Sequence, residues 1–465
     1  MTDHHKPAYQ RLIGIGFDGR PIRAPKPSHS LLLSAAGGGK TSCGGMIWLL
    51  SLLADSSRTI VISDGKDGEL AAQAAHACHA YGRKVVIIDD FHVLGRDNPY
   101  AVSLSPFGAV TAAHKAANGE FVFASENANH ALIPEPPNDA RNQYWRDEPR
   151  SNIELCQRTL LRRDPDLATP GGVWALLADP GTFIRAAEVE AEEGDATLSA
   201  LARHILDSRE HNPEHFGQHR AAALKALRIY SADSPLHRCG VDAEATHLGL
   251  LQDKAVIFLV GPQRHMDRLG PHYALHLQSF LDALLSGTAG PVDFILDEFT
   301  NAPLGALVSA LTTMRGYGGS CHMIAQSRSE IQRKYGDKET ATIEENATVK
   351  QWFGFSSFEE AERVSRAMGE ARYLQHSLGY SSSHLEVSGN LSTAKDRLIT
   401  AEQLMRLPPD EQIIHVKDLG FIHCRKLGQH QIAPFCHGGL APNPLEGSQR
   451  PADPKVRLNI RKVRR

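Results

Sequence analysis

The sequence predicts an α/β protein built on a mostly parallel sheet with helices on both faces. Short runs rich in Val and Ile alternate along the chain with longer segments of helical periodicity, the pattern of strand–helix–strand crossovers. These runs are apolar throughout, as expected for strands buried on both faces. The 465 residues, 42% hydrophobic and 22% charged, suffice for one large domain or two to three ordinary ones and exclude disordered and disulfide-scaffold classes.

Seven segments are predicted to be strands of this sheet because each is a short apolar run bounded by polar or turn-forming residues. They are 30–33, 59–63, 84–89, 255–260, 292–296, 322–325 and 351–355. About 160 residues separate the third from the fourth, and their middle part repeats a 3.6-residue periodicity without a convincing strand. We therefore predict that an all-helical domain is inserted into the sheet domain.

The chain is thereby divided into four parts. Residues 440–465 contain seven Lys/Arg against two Asp/Glu, together with Gly and Pro, which indicates a basic tail on an otherwise acidic protein. A polar, Ser-rich stretch at 375–396 is also predicted to be mobile. The predicted boundaries are 1–27 for an N-terminal extension, 28–141 with 251–437 for the nucleotide-binding sheet domain, 142–250 for the all-α insertion, and 438–465 for a basic, disordered tail.

Cysteine and histidine usage gives no metal motif. The seven cysteines are scattered and form no C-x-x-C pair, which favours reduced thiols and argues against zinc. The 24 histidines include His272 and His276 at helical spacing but show no zinc-protease or deaminase arrangement, so they are predicted to be surface or core residues. No apolar window is long enough to span a membrane, and the N-terminus has no apolar core of the kind that a signal peptide needs. A cytoplasmic protein without a transmembrane segment is therefore expected.

A glycine-rich loop follows the first predicted strand. From Ser34 the sequence reads Ser-Ala-Ala-Gly-Gly-Gly-Lys-Thr and continues into an apolar helical segment. Backbone N–H groups of such a turn converge on phosphate because glycine has no Cβ to block the approach. Lys40 is predicted to reach the β- and γ-phosphates, and Thr41 to ligate Mg²⁺, although the usual P-loop pattern has Gly where this chain has Ser34. The predicted nucleotide-binding residues are Ala36, Gly37, Gly38, Gly39, Lys40, Thr41 and Ser42.

A P-loop also needs a carboxylate from a neighbouring strand, and the run 292–296 ends in Asp297 and Glu298. This is a Walker B pattern. Asp297 is predicted to hold Mg²⁺ through its water shell, while Glu298 polarises the attacking water. The pair favours ATP hydrolysis over phosphate transfer to a metabolite.

Two further residues complete the predicted catalytic set. Gln326 follows the strand at 322–325, where its amide can contact the γ-phosphate or the attacking water. Arg315 precedes Gly-Tyr-Gly-Gly on a tight turn, where it can insert across a subunit boundary as an arginine finger. Arg315 and Gln326 therefore join Lys40 and Glu298 as predicted catalytic residues.

In their order along the chain, these residues resemble the TraG/TraD-type coupling ATPases of conjugation and type IV secretion, which belong to the RecA-like hexameric motor superfamily. The resemblance spans about residues 28–430. It is carried by the P-loop at 36–41, Ser-Asp-Gly-Lys-Asp-Gly-Glu-Leu at 63–70, Ser-Pro-Phe-Gly at 105–108, Tyr-Trp-Arg-Asp at 144–147, the stretch 296–327, Tyr335-Gly336, Asn346, and the segments 361–369, 404–407 and 410–412.

The resemblance implies a RecA-like P-loop ATPase that uses ATP and Mg²⁺ and works as a homo-hexamer. Its partners would be single-stranded DNA with a relaxase, or effector proteins, which it drives toward a membrane channel. The insertion would dock these substrates, and Arg315 would act in trans on the neighbouring subunit. Family members usually begin with transmembrane helices, whereas only about 30 residues precede this P-loop strand. The resemblance thus implies contact with inner-membrane secretion components or a separate membrane anchor, and a peripheral place at the inner membrane.

Two other functions fit the same residues. One is a soluble hexameric DNA translocase serving defence, mobilisation or chromosome handling. The other is a nucleotide-switched module that recruits proteins through the insertion without translocating them. A metabolite kinase fits worst, because Asp297, Glu298 and Gln326 have a better use in hydrolysis.

Overall fold

The computed structural model describes residues 9–137, 139–380, 387–447 and 452–463. A single large sheet of eleven strands forms the centre of the fold, and two small two-stranded sheets lie outside it. The strands are β1 Leu12–Ile15, β2 Pro21–Arg23, β3 Ser30–Leu33, β4 Thr59–Asp64, β5 Val85–Ile88, β6 Val256–Val260, β7 Val292–Leu296, β8 Gly319–Ala325, β9 Val349–Trp352, β10 Glu370–Tyr380, β11 Val387–Arg397, β12 Glu411–Val416, β13 Gly420–Arg425, β14 Ile432–Ala433 and β15 Val456–Arg457.

The large sheet has the order β2-β1-β13-β12-β9-β3-β8-β7-β4-β6-β5. The seven strands from β9 to β5 run parallel to one another, and β12, β13, β1 and β2 extend the sheet with antiparallel pairs. Each of the seven predicted strands coincides with or overlaps one of the parallel strands. The prediction of a mostly parallel α/β sheet is confirmed.

Helices cover both faces of the sheet, because side chains of each parallel strand point alternately to two cores. Leu31 and Leu33 belong to one core, whereas Leu32 packs with the helix after the P-loop in the other. The helices are α1 Met46–Leu52, α2 Glu69–Ala80, α3 Gly108–Ala116, α4 Phe121–Leu132, α5 Tyr144–Arg163, α6 Pro170–Ala178, α7 Pro180–Glu193, α8 Ala196–His211, α9 Pro213–Ala226, α10 His247–Gln252, α11 Met266–Leu285, α12 Gly305–Thr313, α13 Arg328–Tyr335, α14 Asp337–Asn346, α15 Phe358–Met368 and α16 Ala401–Met405.

The predicted insertion region folds entirely as helices and turns in its described residues. Helices α5 to α9 pack against one another around Phe183, Leu198 and other buried apolar residues. Pro or an Asp or Thr cap starts several of these helices, as at Thr169, Asp179 and Asp195, whose side chains accept hydrogen bonds from the first turn. Glu190 is fully buried there and is held by Arg162 and Arg163 at 2.5 and 2.6 Å.

The chain ends depart from the predicted division. Residues assigned to an extension form β1 and β2 of the large sheet, where β1 pairs antiparallel with β13 and β2 pairs antiparallel with β1. The sequence pattern misses β1, β2, β12 and β13 because they are short or carry polar residues on an exposed face. The Ser-rich stretch predicted to be mobile lies in the antiparallel hairpin of β10 and β11, apart from residues 381–386, which fall outside the described residues.

The tail prediction also needs correction within the described residues. β15 pairs parallel with β14, and the side chains of Val456 and Leu458 are buried in the same core as α1. The backbone N–H of Val463 donates to the carbonyl of Ala80 at the end of α2. Exposed basic residues alternate with these buried apolar residues, as in a strand that packs on the sheet domain with one face. The excess of basic residues led to the prediction of disorder instead. Arg464 and Arg465 lie outside the described residues.

A buried ionic network lies under the amino ends of β7 and β8. Asp293 is fully buried, and its carboxylate accepts hydrogen bonds from Tyr9 and His322 at 3.0 Å each and from the guanidinium of Arg58. Burial alone would raise the pKa of Asp293, but the hydrogen bond from His322 and the charge of Arg58 lower it to about 2. The network ties residue 9 and the loop before β4 to the centre of the sheet.

Replacing Asp293 by alanine is expected to lower the free energy of unfolding by about 3–5 kcal/mol, because it leaves the Arg58 guanidinium buried without its counter-charge. The matched control is Asp253→Ala, which removes an exposed partner of Lys84 (2.7 Å) and should cost less than about 1 kcal/mol. Urea unfolding followed by circular dichroism measures both. Equal losses for the two variants would contradict a structural role for the network.

Candidate nucleotide-binding site

The predicted site residues meet at the carboxyl ends of three central strands. The P-loop follows β3, Gln326 follows β8, and Asp297 and Glu298 follow β7. The expectation that the Walker B strand neighbours the P-loop strand is wrong, because β8 lies between them. This order puts Gln326 between the P-loop and the two acids, at the edge where parallel sheets bind ligands.

The P-loop depends on two glycines with left-handed backbone conformations. Gly37 and Gly39 have φ values of 75° and 83°, which a residue with a Cβ rarely adopts. A Cβ at Gly38 would stand 2.2 Å from Ser34 Oγ, so the Ser34 side chain would have to move to admit any other residue. Ser34 itself is buried with φ outside the left-handed region, so a side chain is accepted where the usual pattern has Gly.

After Gly39 the chain makes one wide helical turn over Lys40–Gly45 and continues into α1. Ala36 and Gly37 are exposed at the tip of the loop, while Ser42 is half-buried on the first turn. The ammonium group of Lys426, in the segment after β13, donates to the carbonyls of Gly38 at 3.1 Å and Phe353 at 2.9 Å. Lys426 thereby fixes the P-loop from its outer side.

Lys40 and Glu298 form a direct ion pair across the site. Lys40 Nζ lies 2.5 Å from Glu298 Oε1, and both side chains are largely buried. Glu298 also accepts from Asn301 Nδ2 at 3.0 Å and from Gln326 Nε2 at 3.4 Å. Burial works to raise the pKa of Glu298, but the hydrogen bond and charge of Lys40, helped by Gln326 and Asn301, lower it below its usual value. Glu298 is therefore ionised at neutral pH.

The backbone of Glu298 is unusual for a residue with a side chain. Its φ of 48° and ψ of 51° lie in the left-handed region, at the turn between β7 and the next helical segment. Such a conformation costs of order 1 kcal/mol and tends to persist at functional sites. Here it turns the carboxylate of Glu298 away from the strand and toward Lys40.

Thr41 and Asp297 face each other on the inner side of the loop. Thr41 Oγ1 donates to Asp297 Oδ2 at 3.3 Å, and Asp297 Oδ1 is buried with no hydrogen-bond partner among the described residues. Burial, and then the charge of Glu298, raise the pKa of Asp297 to about 6. The Thr41 hydroxyl and the buried Asp297 carboxylate, one oxygen of which has no hydrogen-bond partner among the described residues, form a donor set suited to Mg²⁺.

Three residues near the site are not in the predicted set. Asp64, at the end of β4, is buried, and its pKa is raised to about 8 by burial, with a contribution from Asp297. Lys66 pairs with Glu69 at 2.8 Å and lies within electrostatic range of Asp297 and Glu298. Both belong to the quoted motif at 63–70, whereas Asn301 carried no signal beyond its position three residues after Glu298.

Arg315 lies elsewhere in this chain. It is exposed on the short helical turn that precedes β8, at the amino end of the sheet, whereas the P-loop is at the carboxyl end. Burial, and then the charge of Arg315, lower the pKa of His29 to about 4, which places the guanidinium near the start of β3. Arg315 is therefore not part of the site formed within this chain.

Similarity to known proteins includes the segment that carries Asp297, Glu298 and Gln326. Residues 291–409 match a family model described as the TraM recognition site of TraD and TraG. The VirD4 protein of Rhizobium radiobacter is 26% identical over 267 residues, which cover 56% of this chain and 38% of that protein. This chain is therefore similar in sequence to VirD4 proteins over part of its length. The VirD4 protein of Agrobacterium fabrum strain C58 is 23% identical over 59% of the chain, which spans 43% of that relative.

Solved structures of the coupling protein TrwB share the fold. TrwB with a non-hydrolysable ATP analogue superposes with a TM-score of 0.66 over 91% of this chain and 90% of that one, at 16% identity. TrwB with ADP and Mg²⁺ gives a TM-score of 0.65. The predicted RecA-like P-loop fold is confirmed. Within the described residues, the helices fall short of the combined length and apolar character that crossing a bilayer requires.

Proposed function

We propose that this coupling-protein relative hydrolyses ATP to recruit and drive single-stranded DNA–relaxase complexes, or protein substrates, toward a type IV secretion channel. The observation that supports it most is the convergence of Lys40, Thr41, Asp297, Glu298 and Gln326 on one edge of the sheet. The relatives in sequence are VirD4 proteins, and TrwB, the relative in fold, was solved with an ATP analogue and with ADP and Mg²⁺.

The residues present fit ATP and Mg²⁺. Residues 36–42 would surround the phosphates with N–H groups, Lys40 would neutralise their charge, and Thr41 and Asp297 would hold the metal. Mg²⁺ supplies charge neutralisation of the transferring phosphoryl group. Glu298, once its partner Lys40 turns to phosphate, accepts a hydrogen bond from the attacking water, and Gln326 positions that water.

We propose a separate role for each domain. Residues 28–141 and 251–437 supply the motor domain, and the helices within 142–250 supply the surface that receives substrates. Because Arg315 lies at the sheet edge opposite its own P-loop, its use as a finger requires a neighbouring copy, and we propose a homo-hexamer as the active form. We further propose that the protein works in the cytoplasm at the inner membrane, where it is held by secretion components or by a separate anchor.

Single-stranded DNA is expected to raise steady-state ATP hydrolysis several-fold, with the stimulation falling as salt rises because phosphate contacts release counterions. The assay uses purified protein across a salt series, with Lys40→Ala as the inactive reference. Stimulation would support a DNA motor. If hydrolysis depends on Lys40 but DNA does not stimulate it at any salt concentration, DNA is excluded as the substrate and protein substrates remain. If no hydrolysis depends on Lys40, the proposed ATPase activity is wrong.

A further inference from the structure

Four potential metal ligands converge where the helical insertion meets the sheet domain. They are Asp90, just after β5, Cys239, near the end of the insertion, and His272 and His276, one turn apart on α11. One donor atom from each lies within 4.8 Å of the other three. Cys239, His272 and His276 are buried, and Asp90 is mostly so. This group is called the junction cluster below.

The distances suit a metal. Asp90 Oδ2 is 3.0 Å from His272 Nε2 and 4.0 Å from His276 Nε2. In a tetrahedral zinc site with bonds of about 2.0–2.3 Å, neighbouring ligand atoms lie about 3.3–3.8 Å apart. The atoms of the junction cluster bracket that spacing, so an ion enters with side-chain movements of about an ångström or less.

An unpartnered nitrogen points to the same conclusion. Among the residues the structure describes, none lies within hydrogen-bond reach of His276 Nε2, although the side chain is fully buried. Leaving a buried polar atom unpaired costs about 1–3 kcal/mol. A metal bound at Nε2 removes that cost, whereas the hydrogen bond between His272 and Asp90 alone does not.

The opposite ring nitrogens have the partners that metal-bound histidines usually have. His276 Nδ1 lies 3.3 Å from His247 Nε2, and His272 Nδ1 lies 3.1 Å from the hydroxyl of Tyr230. A histidine that ligates metal through Nε2 donates from Nδ1 to an outer group, which fixes its tautomer and orientation. Both histidines of the junction cluster therefore present Nε2 inward and hold Nδ1 outward.

We propose that the junction cluster is a structural Zn²⁺ site. One thiolate, two imidazoles and one carboxylate form a donor set that zinc accepts in tetrahedral geometry. The thiolate and carboxylate together cancel the charge of the ion, which a buried site requires. All four positions are filled by the chain, which is the arrangement of structural rather than catalytic zinc. Sequence reasoning that looked for paired cysteines missed it because the ligands come from three distant segments.

The site would join the insertion to the motor domain. Cys239 belongs to the insertion, whereas Asp90 and α11 belong to the sheet domain. The contact around it is already close: a Cβ at Gly240 would lie 2.8 Å from Ser105 Cα, and one at Gly108 would lie 2.3 Å from His247. The Ser-Pro-Phe-Gly motif at 105–108 thus packs against the residues that flank the junction cluster. This inference is independent of the proposed ATPase activity.

The test is the metal content of the full chain purified without a histidine tag and without chelator, measured by inductively coupled plasma mass spectrometry. We expect about one zinc per wild-type chain and at least about a tenfold lower content in Cys239→Ser and His276→Gln. Matched controls are Cys156→Ser and His219→Gln, which change a buried thiol and a buried imidazole of the insertion outside the cluster and should keep the zinc.

A second measurement needs no variant and so does not depend on mutant folding. Protein produced in cobalt-supplemented minimal medium should show the visible bands of tetrahedral Co²⁺ and a near-ultraviolet thiolate-to-cobalt charge-transfer band. Wild-type protein that lacks bound zinc and gives neither band would overturn the proposal. Bound zinc that persists in Cys239→Ser and His276→Gln would place the metal elsewhere and would overturn it equally.

Discussion

Replacing Glu298 by glutamine is expected to lower steady-state ATP hydrolysis by about 10²–10⁴-fold, the usual contribution of a positioned general base. The amide keeps the shape of the side chain but cannot accept a proton from water. In the structure the carboxylate is ionised and aimed at Lys40 by a left-handed backbone. The measurement is phosphate release, with Glu339→Gln, an exposed glutamate on α14, as the control that should retain wild-type rates.

The same variant should bind nucleotide at least as tightly as the wild type. In the wild-type chain Lys40 is engaged with Glu298 at 2.5 Å, and phosphate must compete for it. Glutamine releases Lys40 and removes a negative charge from the site. Fluorescent ATP-analogue binding separates the two effects. Turnover within a few-fold of wild type, or loss of binding together with turnover, would contradict the role assigned to Glu298.

Replacing Arg315 by alanine is expected to lower ATP hydrolysis by about 10³–10⁵-fold, the effect of losing an arginine finger. The physical reason is the loss of a guanidinium that neutralises charge on the transferring phosphoryl group. Because Arg315 is at the amino end of β8, far from the P-loop edge of its own sheet, the effect must be exerted on another copy. Nucleotide affinity should change little.

A mixing experiment tests that geometry. Lys40→Ala chains have an intact finger and no usable site, and Arg315→Ala chains have the reverse defect. Mixed rings should recover part of the wild-type rate through pairs in which an intact Arg315 faces an intact P-loop. Arg333→Ala, an exposed arginine on α13, controls for loss of charge. Full activity of Arg315→Ala, or mixtures no more active than their components, would show that Arg315 is not a finger in trans.

The sequence predicts most of the nucleotide-binding sheet domain because its signals are local. Buried parallel strands are continuous Val/Ile runs. The P-loop, the Asp297–Glu298 pair and Gln326 directly follow three of these strands, so each motif supports the strand prediction and each strand supports the motif. Strand order is not local: nothing in the runs places β8 between β3 and β7. Among the antiparallel strands, β1 and β2 were missed because they are short, and β12 and β13 because polar residues interrupt their apolar pattern. The junction cluster and Lys426 were missed because their contacts join segments distant in sequence.

The P-loop occurs early in the sequence, but the strands that pair with β3 and the lysine that holds the loop backbone occur late in it. Its strand, β3, pairs with β8 and β9, about 290 and 320 residues further along, and the carbonyl of Gly38 is held by Lys426. Domains fold during synthesis roughly from the N-terminus, yet β3 has no partner strand until residues 319–352 have emerged. A ribosome-bound chain therefore carries an unpaired, apolar nucleotide-binding strand for most of its translation, and nascent chains stalled before residue 319 should be unable to retain ATP.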